Sequence, residues 1–529
     1  MNMNQPFSSA TRLHTPLPRR AFVAFTIAAS LAAAAPSEAA TCATLTSALM
    51  PDVRIDLVQE VAGGAFVPPG PPPNAQAPNP YAGLPSFCRV AATVRPSSEA
   101  PIGIEVWLPV NGWNGRLRGI GNDGFYNSAP VGFAALAAAL RAGYTAVASD
   151  GGRQGDSSYI LHSTEQLTNF AYRATHEMTV AAKALAAAFY GSAPKLAGVA
   201  ECGGRGSIGL SSVQRYPADY DAVAVGEFIG DSTRHMANQW WVWQALHLDP
   251  ASTIPPDKFP MIQRAAVAAC DTVGDGIKDG IIGDPTKCTF DPGVIQCKAD
   301  DGPDCLTAPQ VAAMRKIYAG ATNPRTKARV APPLMRGGES YWTPLTGPNP
   351  NGVSIAFFKY FALRDANWDY KARPLDFDTD IAKADAQTAA LPINATNPDI
   401  KAYVGRGGKL MLYAGWGDPF VPPGISVDYY TRVVETIGKK AAQDSVRLFV
   451  VAGMRNCPGT GGADNFNFDP MAVVQQWKES GTAPDAIIAP HFRNGKEVGT
   501  RLICAYPKVA AYKGSGDAHE ARNFSCRMP

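Results

Sequence analysis

The residues Ile102 to Leu108 alternate apolar and polar side chains, the period-two pattern of a strand with one face buried. Phe133 to Gly143 is Ala-rich with helical character, and Tyr144 to Ser149 is a short apolar strand. Phe170 to Tyr190 repeats its apolar residues at helical spacing and predicts a long helix. Lys195 to Ala200 reads as a further strand running into a Gly-rich turn, and Lys409 to Ala414 and Val446 to Ala452 read as buried strands. Strands alternating with helices predict a parallel α/β sheet. Two stretches break the rhythm. Pro68 to Pro80 is Pro-rich and reads as a loop. Residues 228–400 are rich in Asp, Pro, Trp and Cys and separate two groups of sheet elements, so they are expected to form an inserted domain between core segments 40–227 and 401–529.

Composition narrows the class. Charged residues make up 18% and hydrophobic residues 46% of the 529-residue chain, with a formal net charge of +3. That is too apolar for a disordered chain and lacks the basic excess of a nucleic-acid binder. Arg19 and Arg20 precede an apolar run, Ala21 to Ala35, too short and Ala-rich to span a membrane, and Ser37-Glu38-Ala39 suits signal-peptide cleavage. Residues 1–39 are therefore expected to be a signal peptide, of either the twin-arginine or the ordinary secretory kind. Thr41 before Cys42 argues against a lipoprotein site, and no later segment is apolar enough to span. Ten cysteines agree with a periplasmic or secreted protein held by disulfides.

Three motifs carry candidate chemistry. Gly119-Ile120-Gly121-Asn122-Asp123-Gly124 fits G-x-G-x-x-G, but Phe125 to Pro130 intervene before any helix, so a turn lining a pocket is expected rather than a dinucleotide site. Asp271, Asp275 and Asp279 are interleaved with glycines, which suits a hard cation. The carbonyls of Ile277 and Ile281 can complete the shell of a structural calcium ion. The stretch Cys202 to Gly209 follows a strand and precedes a helix-like run, the place of an α/β-hydrolase nucleophile elbow. Centred on Ser207 the flanks are Arg205 and Gly209, and the first is too large. Centred on Cys202 the flanks fit, but that cysteine is expected to be bridged. Centred on Gly203 there is no nucleophile.

At this point the chain resembles the tannase/feruloyl esterase family. The resemblance rests on Ala171 to Met178, Val213 to Asp221, the Asp-Gly segment, Tyr413 to Pro419, Tyr512 to Asp517 and Asn523 to Cys526. It implies an α/β-hydrolase core with an inserted lid that carries the calcium site. It also implies five disulfides: Cys42 with Cys88, Cys202 with Cys457, Cys270 with Cys288, Cys297 with Cys305, and Cys504 with Cys526. The family's catalytic Asp corresponds to Asp418. Its nucleophilic Ser corresponds to Gly203 and its His to Asn456. A small gap could instead align Gly203-Gly204-Arg205 with the family's later Gly-Gly-Arg, which deletes the Ser without restoring it. The family's oxyanion loop reads Gly121-Asn122-Asp123-Gly124, with a carboxylate intruding, and the residue before the first active-site Cys is Glu201.

Ser–His–Asp chemistry needs an oxygen nucleophile and a base to deprotonate it. Glycine and asparagine supply neither, and an ionised Asp123 would oppose an oxyanion. The favoured expectation is an exported protein acting on a small aromatic or phenolic compound by altered acid–base chemistry, with Asp418, Asp123 and Glu201 as candidate groups. Gly124, Phe125 and Trp416 are candidate ligand contacts. Asp123 and Glu201 could equally hydrogen-bond neighbouring backbone amides. Two alternatives stand beside it: a non-catalytic binder of aryl compounds, or a residual ester hydrolase using Ser207, Cys202 or activated water. His176 reads as a core residue, and His519 lies in the C-terminal tail. Trp240, Trp241 and Trp243 could line an aromatic pocket, with at least two of them expected in the core.

Overall fold

The structure is a computed structural model that describes residues 41–48, 50, 52–69, 79–121, 132–153, 155–203, 206–391, 393–459 and 464–529. The expected signal peptide and the candidates Asp123, Gly124 and Phe125 lie outside the described residues.

Among the described residues nine strands form one sheet, in the order β1-β2-β3-β5-β4-β6-β7-β8-β9. β1 (Val53–Val61), β2 (Phe87–Val94) and β3 (Ile102–Pro109) pair antiparallel, and β3 pairs antiparallel with β5 (Thr145–Ser149). From β5 onward every pairing is parallel, through β4 (Arg116–Gly119), β6 (Leu196–Cys202), β7 (Ala222–Gly226), β8 (Lys409–Gly415) and β9 (Val446–Val451).

The burial of each strand follows from its place. β5 and β7 are buried at every residue, as parallel strands covered on both faces must be. β1, at the edge, has a largely exposed face. One face packs on helices Ala174–Tyr190, Gly206–Arg215 and Pro423–Ile437 through residues such as Val199, Val223, Leu412 and Tyr429. The other packs on helices Phe133–Arg141 and Pro470–Ser480 through Trp107, Ala146, Met411 and Trp477. The Ala174–Tyr190 helix turns alanines toward the sheet, which lets helix and strands approach closely. Sequence periodicity predicts one helix from Phe170. The structure has a π-helical turn at Asn169–Arg173 before the α-helix begins at Ala174.

Between β7 and β8 the chain adds helices but no strand to the sheet. It supplies most of two apolar clusters, the first of which also takes in Tyr159, Ile160, Leu167 and Ala171 from before β6. The first gathers Trp240, Trp243, Phe357, Phe358, Phe361 and Trp368, and the other surrounds Cys270, Met314 and Trp342. Trp241 is only partly buried and donates its indole N–H to the Lys316 carbonyl at 2.8 Å. The disulfides are Cys42–Cys88, Cys202–Cys457, Cys270–Cys288, Cys297–Cys305 and Cys504–Cys526, and no cysteine is free. Among the described residues no helix is long and apolar enough to cross a membrane.

Candidate functional site at the carboxyl edge of the sheet

Ligands of open parallel sheets bind outside the carboxyl ends of the strands, where loops diverge. Four such ends meet here. β6 ends at Cys202, and Gly203 turns the chain with a φ of +65° before the Gly206–Arg215 helix starts. This is strand–turn–helix geometry, and a left-handed φ is what a sharp elbow demands. Among the described residues, a Cβ added at Gly203 would meet only the Cys457 sulfur, at 3.9 Å. β7 ends at Gly226 and is followed by Glu227, β8 is followed by Asp418, and the segment after β9 carries Asn456 and Cys457. The Cys202–Cys457 bridge fastens the first of these ends to the last.

Asp418 is buried. Its Oδ1 accepts from the backbone N–H groups of Phe420 at 2.7 Å and Val421 at 3.1 Å. Its Oδ2 accepts from the Asn456 side-chain N–H at 2.7 Å. Beside it Glu227 is wholly buried and accepts the Gly415 N–H at 2.7 Å, with its carboxyl group next to that of Asp418. Burial raises both carboxyl pKa values, and the Asp418 charge pushes Glu227 higher still.

Gly203 and Asn456 share a cavity of about 270 Å³ whose lining exposes more apolar than polar surface. The insert contributes His235, Met236 and Gln239 from the helix Ser232–His247, and Phe420 and Val421 follow Asp418 into the wall. His235 is buried, and desolvation lowers its pKa to about 4, so the ring is neutral at pH 7. A ring nitrogen lies 3.0 Å from the Gln239 side-chain nitrogen. The volume and mostly apolar wall suit a flat aryl group held by a few polar contacts.

The sequence candidates scatter around this cavity. Gly203, Asp418 and Asn456 come together. Glu201 lies outside that cavity: its Oε1 accepts the Gly121 N–H at 2.9 Å, and it lines a separate hollow with Arg118 and Tyr413. Trp416 lines another hollow, with Asp275 and Tyr506. Cys202 is spent in its disulfide, and Ser207 lies in the first turn of the helix after the elbow. His176 stacks on Tyr216 and pairs with Asp219 at 3.0 Å, which raises its pKa.

In the acidic loop, Asp275 is buried and its carboxyl is raised to about 7, chiefly by burial, with the charges of Asp279 and Asp271 adding to it. The Ile277 and Ile281 N–H groups donate to Asp275 and Asp279, and Gly280 N–H donates to Asp271. Asp279 is also paired with Arg501. The oxygen-rich chemistry of the loop suits a hard cation. Among the described residues no three His, Cys, Asp or Glu side chains gather to hold an ion.

Sequence reasoning missed Glu227 and His235. Glu227 had a usable signal, being the lone charged residue in the apolar run Ala222 to Gly230 at the end of a strand. His235 had none, because its helix reaches the site only through the fold of the insert.

The sequence profile described as "Tannase and feruloyl esterase" matches residues 88–527. An uncharacterized esterase of Xanthomonas campestris pv. campestris is 32% identical over 542 residues, covering 93% of this chain and 92% of the relative. A probable feruloyl esterase B of Aspergillus niger is 30% identical over 464 residues, covering 83% and 86%. The crystal structure of an esterase from Aspergillus oryzae superposes with a TM-score of 0.82 at 26% identity, covering 92% of this chain and 99% of that one.

Proposed function

The chain belongs to the tannase and feruloyl esterase family, and from that membership we propose that it takes a small aromatic ester or phenolic acid into the cavity beside Gly203 and Asn456 and forms no acyl-enzyme there. The observation that carries this reading is Gly203. The backbone keeps the left-handed turn that presents a nucleophile, and no side chain is present to be one. Asn456 supports it, because an amide hydrogen-bonded to Asp418 cannot take up a proton as a base must.

A second reading keeps ester hydrolysis by activated water, and His235 favours it. A neutral imidazole in the wall of the same cavity has the protonation state a general base requires. Aryl esters and a serine-directed fluorophosphonate separate these readings. The intact mass is expected to stay unchanged after phosphonate treatment, with methyl ferulate bound but turned over slowly or not at all. One covalent equivalent of phosphonate overturns the proposal. Turnover without labelling that disappears in His235→Gln supports the water route.

Export is part of the same proposal, and the pairing of every cysteine supports an oxidising compartment. Calcium in the acidic loop is proposed as well, on the density of oxygen donors around the buried Asp275. An ion there would take Asp279 from Arg501. Saturating chelator is expected to lower the thermal midpoint, since a ligand bound only by the native state stabilises it. An unchanged midpoint removes the metal.

A further inference from the structure

Glu227 has no part in the chemistry described so far, yet it is an expensive residue to keep. It follows β7 with a φ of +47°, a backbone region that long side chains seldom occupy. It is fully buried, and its Oε2 meets no N–H donor among the described residues. The side chain stands instead against another carboxyl group, that of Asp418, close enough to share a proton with it.

Two carboxyl groups can share a hydrogen bond only when one of them keeps its proton. Asp418 is not that one. Its Oδ1 accepts two N–H groups and its Oδ2 accepts a third, the pattern of an ionised carboxylate. The proton therefore stays on Glu227, whose Oε1 is meanwhile held by Gly415.

The anionic Asp418 then fixes the Asn456 amide. Its nitrogen must face Asp418, because the carbonyl oxygen in that place would face a negative charge. Asn456 also lines the cavity, and its Oδ1 accepts no hydrogen bond from the described residues. We infer that Glu227, Asp418 and Asn456 act as one unit: the protonated acid anchors the aspartate, the aspartate locks the amide, and the amide carbonyl accepts a hydrogen bond from a hydroxyl group on the bound aromatic ligand. Glu227 is thus a positioning residue, and Asn456 is the group that touches the ligand. This rests on the aryl-ligand reading proposed above.

Two measurements test it. Difference infrared spectroscopy at pH 7, wild type against Glu227→Gln, should show a protonated-carboxyl C=O band present only in the wild type, and absence of that band overturns the inference. Glutamine can still accept from Gly415 and donate to Asp418, so the amide should stay locked in this variant. Calorimetry with methyl 4-hydroxycinnamate and its 4-methoxy analogue reads the ligand contact. The hydroxyl compound should bind about tenfold tighter to the wild type, the worth of one hydrogen bond. That preference should persist in Glu227→Gln and vanish in Asn456→Leu. Equal affinities in the wild type overturn the inference while leaving aryl binding intact, and no binding of either compound overturns both. The wild-type comparison decides even if Asn456→Leu does not fold.

Discussion

The double substitution Gly203→Ser with Asn456→His is expected to raise aryl-ester turnover by on the order of a thousandfold or more, while either single change does little, because triad members act as a unit. The backbone is already arranged for it. Gly203 holds the left-handed conformation of an elbow, and among the described residues a new Cβ would find only an ordinary contact, 3.9 Å from the Cys457 sulfur. A serine there carries some strain, as elbow nucleophiles do. At position 456 the hydrogen bond to Asp418 is in place at 2.7 Å, so an imidazole could donate to the same Oδ2 and turn its other nitrogen toward the serine. Two features would hold the gain below that of a fully evolved esterase. Asp123 puts a carboxyl group into the loop expected to hold the oxyanion, and the Glu227 proton already draws on the charge Asp418 would offer a histidine. Adding Asp123→Gly should increase the rate further. Steady-state kcat/KM on methyl ferulate checks this. A double variant that unfolds at the wild-type temperature yet stays inert would mean that the cavity no longer places an ester carbonyl at the elbow.

Those two positions were legible because the family resemblance places a nucleophile directly after Cys202 and a base directly before Cys457. Other parts were not. The strands β5, β6, β8 and β9 announce themselves, since strands buried in a parallel sheet read as short apolar runs, and the antiparallel β3 shows by its period-two alternation. β1 hides, because a register shift between Ile55 and Leu57 breaks its period-two alternation. β4 hides for a different reason. Its four residues include Arg116 and Arg118, so no local pattern suggests a strand, yet it sits between β5 and β6 in the sheet. Only pairing on both sides makes it one. The site divides along the same line. Asp418, Asn456 and Gly203 lie at strand ends that a parallel sheet must bring to one edge. His235 and Gln239 reach that edge on a helix of the insert, and Glu201 points to Gly121 rather than to Asp418. Such placements depend on how the insert folds back and on which face of a strand a side chain leaves, and neither is written in local periodicity.

Removing the Cys202–Cys457 bridge should cost more than removing any other, and it should cost function as well as stability. The two cysteines are 255 residues apart in sequence, and restricting an unfolded loop of that length is worth roughly 5 kcal/mol in the chain-entropy account. For a chain of this size that corresponds to a fall in the unfolding midpoint of about 5–10 °C. The Cys42–Cys88 bridge makes the control. Its separation is 46 residues, worth roughly 4 kcal/mol on the same basis, so its double Cys→Ala variant should lose somewhat less stability. The two variants should also differ in binding. Gly203 and Asn456 each adjoin a half of the Cys202–Cys457 bridge, and both line the cavity. Without it, the elbow after β6 and the segment after β9 are free to separate, and the ligand meets a wall that must be reassembled at each encounter. Affinity for an aryl ligand should therefore fall at least tenfold in Cys202→Ala/Cys457→Ala and stay near wild type in Cys42→Ala/Cys88→Ala. Calorimetry well below both unfolding midpoints makes the comparison. Equal affinities in the two variants would show that the bridge supports the fold alone, and that the cavity is held by the packing of the insert.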